Sequence, residues 1–136
     1  MNTKLTFAQS ITAGAIASGV AAVANAVLFL IFKSIGIFTD DIFIQPNTPL
    51  TIMPIIISSI VPTLIGASVF FLLEKYTQNG FKIFTIVAIV LGALSFINPF
   101  MIPNVTMAYA ISLNLMHVVV AGSLWYFISA KKKQVA

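Results

Sequence analysis

Long apolar stretches separated by short charged segments dominate the pattern along this chain. Residues 5–32, 42–73 and 83–130 contain no charged side chain, and the last of these stretches is 48 residues long. A helix that crosses a membrane needs about 20 mainly apolar residues. The first two stretches therefore predict one membrane span each, and the third is long enough for two.

Two prolines divide the longest stretch. The segment NPFMIPN, residues 98–104, contains two Xaa-Pro steps, and the residue before a proline disfavours the helical region. We therefore predict an all-α fold, an integral membrane four-helix bundle that forms a single domain over residues 1–136. Its spans are expected at about residues 7–32, 50–73, 81–97 and 105–130, antiparallel between sequence neighbours.

The segment between the first two spans is the longest connection. Its apolar residues predict an interfacial segment that lies against the membrane surface, and the adjacent Asp40 and Asp41 are expected to be solvated. These apolar residues are Ile35, Ile37, Phe38, Ile42, Phe43 and Ile44.

The lysines are distributed unequally between the two sides. Four spans place both termini on one side, and that side has six of the seven lysines, whereas the other has only Lys33. Loops rich in lysine stay in the cytoplasm. We therefore predict that both termini are cytoplasmic, in what we expect to be a bacterial inner membrane.

Small residues recur at helical spacing in every span, which favours close approach of membrane helices. In the first span they define two neighbouring faces, one with Ala15, Gly19, Ala22 and Ala26, the other with Gly14, Ser18 and Asn25. The later spans have Ser59, Pro62 and Gly66; Ala88, Gly92 and Ser95; and Ala110, Asn114, His117 and Ala121.

Three polar residues interrupt these apolar spans. Asn25 lies in the first span, and Asn114 and His117 share one face of the fourth. We predict that the three form a polar cluster near the membrane midplane. His117, the only histidine, then has three possible roles: an interhelical hydrogen bond, a proton relay or solute contact, or a metal or haem ligand.

Composition excludes several kinds of chemistry. The chain is 60% hydrophobic and 7% charged, and it has no cysteine and no arginine. Cysteine-ligated metals and thiol catalysis are excluded, and one histidine per chain could supply both axial ligands of a haem only in a homodimer that pairs its His117 residues. We predict no cofactor, no metal site and no enzymatic activity, and the clustered lysines give no sign of nucleic-acid binding.

Other residues have simpler predicted roles. Pro62, near the middle of the second span, is a candidate hinge, because proline removes a helical hydrogen bond. Trp125 suits the aromatic belt at the membrane surface. Lys131, Lys132 and Lys133 are candidate anchors for anionic lipid headgroups at the cytoplasmic face.

Three segments resemble an uncharacterised family of bacterial four-span membrane proteins. They are PLT at the start of the second span, LIGASVFFLLEKY at its end, and LNLMHVVVAG in the fourth. The resemblance extends over about residues 49–122. It implies the four-span architecture and a Met116–His117 pair in the last helix after a short proline-containing loop, and it implies no known activity.

The function predicted from these features is that of a small non-catalytic inner-membrane protein. It would act through helix packing, as a homo-oligomer or as an accessory subunit of a membrane complex. The alternatives are a small transporter or channel, in which Asn25, Asn114 and His117 line a polar path, and a lipid- or cofactor-binding bundle.

Overall fold

A computed structural model describes residues 3–136 of the chain. Four helical segments are long and apolar enough to cross a membrane, which confirms the all-α four-helix bundle. Each predicted span boundary lies within five residues of the observed one. The α-helices are α1 Phe7–Ser34, α2 Ile52–Tyr76, α3 Gly80–Ser95 and α4 Met107–Val135, and a 3₁₀ turn, Asn98–Met101, extends the third span.

Two helices begin at threonines whose side chains cap them. The Thr6 hydroxyl accepts a hydrogen bond from the Gln9 N–H at 3.2 Å, and the Gln9 side chain accepts one from the Thr6 N–H at 2.9 Å. Thr106 likewise accepts from the Tyr109 N–H at 3.2 Å. Such caps satisfy N–H groups that have no partner within the first turn, so the starts of α1 and α4 are determined locally.

The four helices do not pack equally. Helix α1 packs against α2 and α4, whereas α3 lies against α2 and α4 and, within residues 3–136, does not touch α1. In the most apolar stretch of the third span 11% of the residues are buried, compared with 28% in the first. The bundle is therefore a core of three helices with α3 on its flank.

Small residues allow close approach in this three-helix core. A Cβ atom at Gly14 would lie 2.5 Å from the Ala67 Cβ, so α1 and α2 meet there almost backbone to backbone. Ser18 and Asn25 are buried on the same side of α1, as predicted. The expectation that Ala15 and Gly19 face another helix is wrong, because both are exposed.

The long connection between α1 and α2 folds back over the helix ends. It contains a two-stranded antiparallel hairpin, β1 Phe43–Gln45 and β2 Thr48–Pro49. Phe38 and Ile42 are buried, and the Phe38 ring meets the Tyr109 ring edge-on at 4.8 Å. Phe38 and Ile42, with the partly buried Ile37 and Ile44, thus form a cap on the bundle, whereas Ile35 and Phe43 are exposed. This cap places the hairpin beside the polar residues described next.

Candidate functional site

Asn25 joins the three core helices. It is 2% exposed, and its Nδ2 donates hydrogen bonds to the Ser59 hydroxyl of α2 at 3.0 Å and to the Met116 carbonyl of α4 at 3.2 Å. Its Oδ1 is buried without a hydrogen-bond partner. Asn25 therefore fixes the register of α1 against both neighbours and keeps one unused acceptor.

The face of α2 next to Asn25 is lined with hydroxyls that bond to their own helix. Ser59 donates to the Ile55 carbonyl at 2.8 Å, and Thr63 donates to the Ser59 carbonyl at 2.6 Å. Both side chains are fully buried. Their donors are used within α2, so each can only accept a bond from another helix, as Ser59 does from Asn25.

Pro62 lies on the exposed side of α2, which continues through it as one helix from Ile52 to Tyr76. Proline has no N–H, so the carbonyl four residues earlier, that of Ser58, loses its helical donor. Ser58 lies in the wall of a cavity beside Asn25. Pro62 therefore removes one helical hydrogen bond of α2 at a residue that lines this cavity.

This cavity, which we call the inner cavity, has a volume of about 220 Å³. It is lined by residues of α1, α2, α4 and the connection that carries the hairpin, and it is partly open to the surroundings, since Ser58 and His117 are exposed. Its polar wall is formed by Asn25, Ser58 and His117, and the rest of its lining is apolar. Side chains from elements distant in sequence therefore converge on one small space.

A second, larger space of about 530 Å³ separates α3 from α4, and we call it the α3–α4 groove. Small residues line much of it: Ala88, Gly92, Ala93, Ala121 and Gly122. A Cβ atom added at Gly92 or at Gly122 would meet no other atom within 4 Å. Small residues here leave open space, unlike Gly14 in the core.

His117 lies at the boundary between these two spaces and lines both of them. Its side chain is exposed, and none of the hydrogen bonds of residues 3–136 involves its ring. The structure thus brings Asn25 and His117 to one cavity. The interhelical bond considered for His117 is made by Asn25 instead.

Asn114, the third predicted member of the polar cluster, lies elsewhere. Its Nδ2 donates to the Phe96 carbonyl at the end of α3 at 3.1 Å, while its Oδ1 is buried without a partner. Asn114 therefore attaches the flanking helix α3 to α4. It does not line the inner cavity.

The candidate membrane anchors make contacts within the protein. The Trp125 indole N–H donates to the Thr85 hydroxyl of α3 at 3.0 Å, and its ring lies 5.9 Å from that of Phe81. The Lys132 ammonium forms an ion pair with Glu74. Lys133 is exposed and Lys131 half-buried. Of the three lysines, Lys132 is thus engaged with a carboxylate of its own chain.

Sequence reasoning missed two buried polar groups. Glu74, which follows the predicted end of the second span at residue 73, lies inside α2 and is 4% exposed. Tyr109 is fully buried, with its hydroxyl unpartnered. The feature of the sequence that could have indicated the burial of Glu74 is its position directly after an uninterrupted run of apolar residues. Nothing in the pattern distinguished Tyr109 from an interfacial tyrosine.

The arrangement offers hydrogen-bond acceptors rather than a set of metal ligands. Within the described residues 3–136, no three histidine, cysteine, aspartate or glutamate side chains lie close together. The polar residues that line the inner cavity carry one amide, one hydroxyl and one imidazole. Such groups can bind and orient a small hydrogen-bonding molecule.

Comparison with known proteins identifies the family. Neither a curated protein nor a solved structure matches the chain. The model of DUF6069, described as a family of unknown function, matches residues 6–134. This match confirms the expected membership in an uncharacterised four-span family and extends beyond residues 49–122 to the first span and the hairpin. The chain belongs to the DUF6069 family of unknown function.

Proposed function

We propose that this protein is a non-catalytic component of the bacterial inner membrane that acts by helix packing and assembles with copies of itself. The observation that carries the proposal is the open α3–α4 groove. Helices in a membrane associate where small residues let their backbones approach. In the core of this chain the backbones of two helices approach closely at Gly14. The groove has small residues of the same kind, and no helix packs against them.

The same chain also carries a surface that suits this groove. Ala15 and Gly19 form an exposed small-residue ridge on α1, four residues apart, and a Cβ atom at Gly19 would meet nothing within 4 Å. Helices α1 and α3 do not touch each other within residues 3–136. The ridge and the groove are thus separate surfaces, and α1 of one copy can enter the groove of the next.

Contact between two different surfaces of identical chains closes into rings when the rotation between copies permits it. The proposed assembly is therefore a cyclic homo-oligomer in which every copy contributes one ridge and one groove. A non-catalytic role is supported by the surroundings of His117, which are apolar apart from amide, hydroxyl and indole groups. In the inner cavity and the groove no carboxylate faces this imidazole as a partner for acid–base chemistry.

Disulfide cross-linking tests the arrangement directly, because the chain has no native cysteine. We would co-express two differently tagged variants, Gly19→Cys and Gly122→Cys, and oxidise them in native membranes. We expect a cross-linked dimer that carries both tags. The matched control pairs Gly19→Cys with Ile65→Cys, since Ile65 is an exposed residue of α2 outside the groove and lies, like Gly19, near the middle of its helix.

Native mass spectrometry of protein extracted in mild detergent supplies the second readout. We expect a homo-oligomer for the parent, loss of assembly for Gly122→Leu, and retention for Ala108→Leu, because Ala108 is an exposed small residue of α4 outside the groove. A monomer accompanied only by phospholipid, or cross-linking that is equal in the control pair, contradicts the proposal. A stoichiometric second polypeptide in place of further copies would make the protein an accessory subunit and would also contradict self-assembly.

The inner cavity favours a second candidate function, that of a small transporter. It contains Asn25 and His117, and the exposed Pro62 on α2 is a possible hinge. In this case we expect proton or solute flux into liposomes that the His117→Phe variant lacks while it remains folded. Absence of flux for the parent across a broad range of solutes and pH values would contradict transport.

A further inference from the structure

We propose that the inner cavity binds a small, uncharged molecule that has one hydrogen-bond donor on an otherwise apolar body, as a phenol or a short-chain alcohol has. The proposal is independent of self-assembly, because the cavity lies within one chain and its lining excludes Gly92, Gly122 and Gly19.

Size and lining define most of the ligand. The cavity volume of about 220 Å³ exceeds that of an apolar cavity of about 150 Å³ that accommodates benzene. Seven of the ten lining residues are apolar or proline, and they come from α2, α4 and the hairpin connection: Ile44, Leu50, Pro54, Ile55, Leu113, Met116 and Val120. The body of the ligand is therefore apolar and about the size of one aromatic ring.

The polar part of the wall determines the hydrogen-bonding group. Asn25 is held in place by the two bonds that its Nδ2 donates, and its Oδ1 has no donor. A buried acceptor without a donor is destabilising, so a ligand that brings a donor is favoured over one that brings an acceptor.

The Asn25 Oδ1 is screened from solvent in this structure. A ligand hydroxyl reaches it when the carboxamide turns, which exchanges at least one of the two bonds that its Nδ2 donates for a bond to the ligand. This route requires a donor on the ligand, which chemically matched probes can test.

The absence of charge in the wall excludes ionic ligands. None of the ten residues that line the cavity has a charged side chain unless His117 is protonated. A charge near the centre of a bilayer is costly without a partner. His117 lines both spaces and lies between the inner cavity and the α3–α4 groove.

Two probes of similar size test the proposal: 4-fluorophenol, which donates a hydrogen bond, and 4-fluoroanisole, which does not. Their binding to the purified full-length protein in lipid nanodiscs is measured by ¹⁹F NMR line broadening, with empty nanodiscs as the reference for partitioning into lipid. We expect the phenol to bind about tenfold more tightly, which corresponds to about 1.4 kcal/mol.

Matched variants locate the binding. Val120→Phe fills the cavity from α4 and should abolish binding, whereas Leu115→Phe, at an exposed position of the same helix, should leave it unchanged. Asn25→Leu should reduce the preference for phenol over anisole. If Asn25→Leu fails to fold, the affinities of the two probes for the parent and the loss of binding in the Val120→Phe variant still test the proposal. Equal affinity for both probes, no binding to the parent, or binding retained by Val120→Phe would overturn the proposal.

Discussion

At the scale of single residues, the polar side chains within the spans have different roles. Asn25 fixes the packing of three helices, and Asn114 attaches the flanking helix. His117 makes neither kind of contact and lies at the boundary between two cavities. A polar side chain that is not needed for packing is available for binding, and for that reason His117 is a better candidate for function than for stability.

The ion pair between Glu74 and Lys132 is expected to contribute strongly to stability. The Glu74 side chain is 5% exposed and that of Lys132 19% exposed. Removing one member of a buried pair leaves a buried charge without compensation, at a cost of about 3–5 kcal/mol. We therefore expect Lys132→Met to lower the free energy of unfolding in mixed detergent micelles by about 3 kcal/mol.

Two variants control this experiment. Lys133→Met changes the neighbouring exposed lysine and should have little effect, because exposed charges contribute at most about 1 kcal/mol. The double variant Glu74→Gln with Lys132→Met removes the unpaired charge and should recover most of the loss. Equal effects of Lys132→Met and Lys133→Met would show that the pair does not stabilise the fold.

At the scale of helices, the contact between α1 and α2 should tolerate no added volume at Gly14. In Gly14→Ala the new methyl group would lie 2.5 Å from the Ala67 Cβ, and overpacking of this kind costs about 1–3 kcal/mol. The matched change Gly19→Ala meets no atom within 4 Å and should be neutral or slightly stabilising. The comparison is made by unfolding both variants in mixed micelles, and equal stability would contradict the packing of α1 on α2.

The helices themselves could be predicted from the sequence, because charged residues are too costly to occur within a span and the uncharged stretches outline each helix. Their ends were less predictable. Helix α2 continues through Glu74 to Tyr76 because Lys132 neutralises that carboxylate from the far end of the chain. The hairpin at Phe43–Pro49 was missed, since its strands are only three and two residues long.

At the scale of the whole molecule, the sequence could not show which helices touch. Every span is apolar on all sides, so hydrophobicity does not distinguish a face toward lipid from a face toward protein. For this reason the stripe with Ala15 and Gly19 was expected to face another helix, whereas it is exposed on the surface of the bundle. For the same reason the position of α3 on the flank of the bundle could not be predicted. Of the candidate site, the pairing of Asn25 with His117 in one cavity was predicted, and the separation of Asn114 was not.

The contacts at the two ends of the bundle bear on its orientation in the membrane. At the end with both termini, Lys4 donates to the Thr77 carbonyl at 3.0 Å, and Lys132 binds Glu74. Acidic residues contribute little to the positive-inside rule. The excess of lysine at this end therefore still predicts that both termini are cytoplasmic and that the hairpin faces outward.

Labelling of single cysteines tests this orientation in a chain that has none of its own. Asp41→Cys and Gln134→Cys place thiols at exposed positions near opposite ends of the bundle. In intact spheroplasts a membrane-impermeant maleimide should label the Asp41→Cys variant and not the Gln134→Cys variant, whereas both should react after permeabilisation. The reverse pattern would place the termini outside. The hairpin and the adjoining wall of the inner cavity would then face the cytoplasm, and its ligand would be a cytoplasmic molecule.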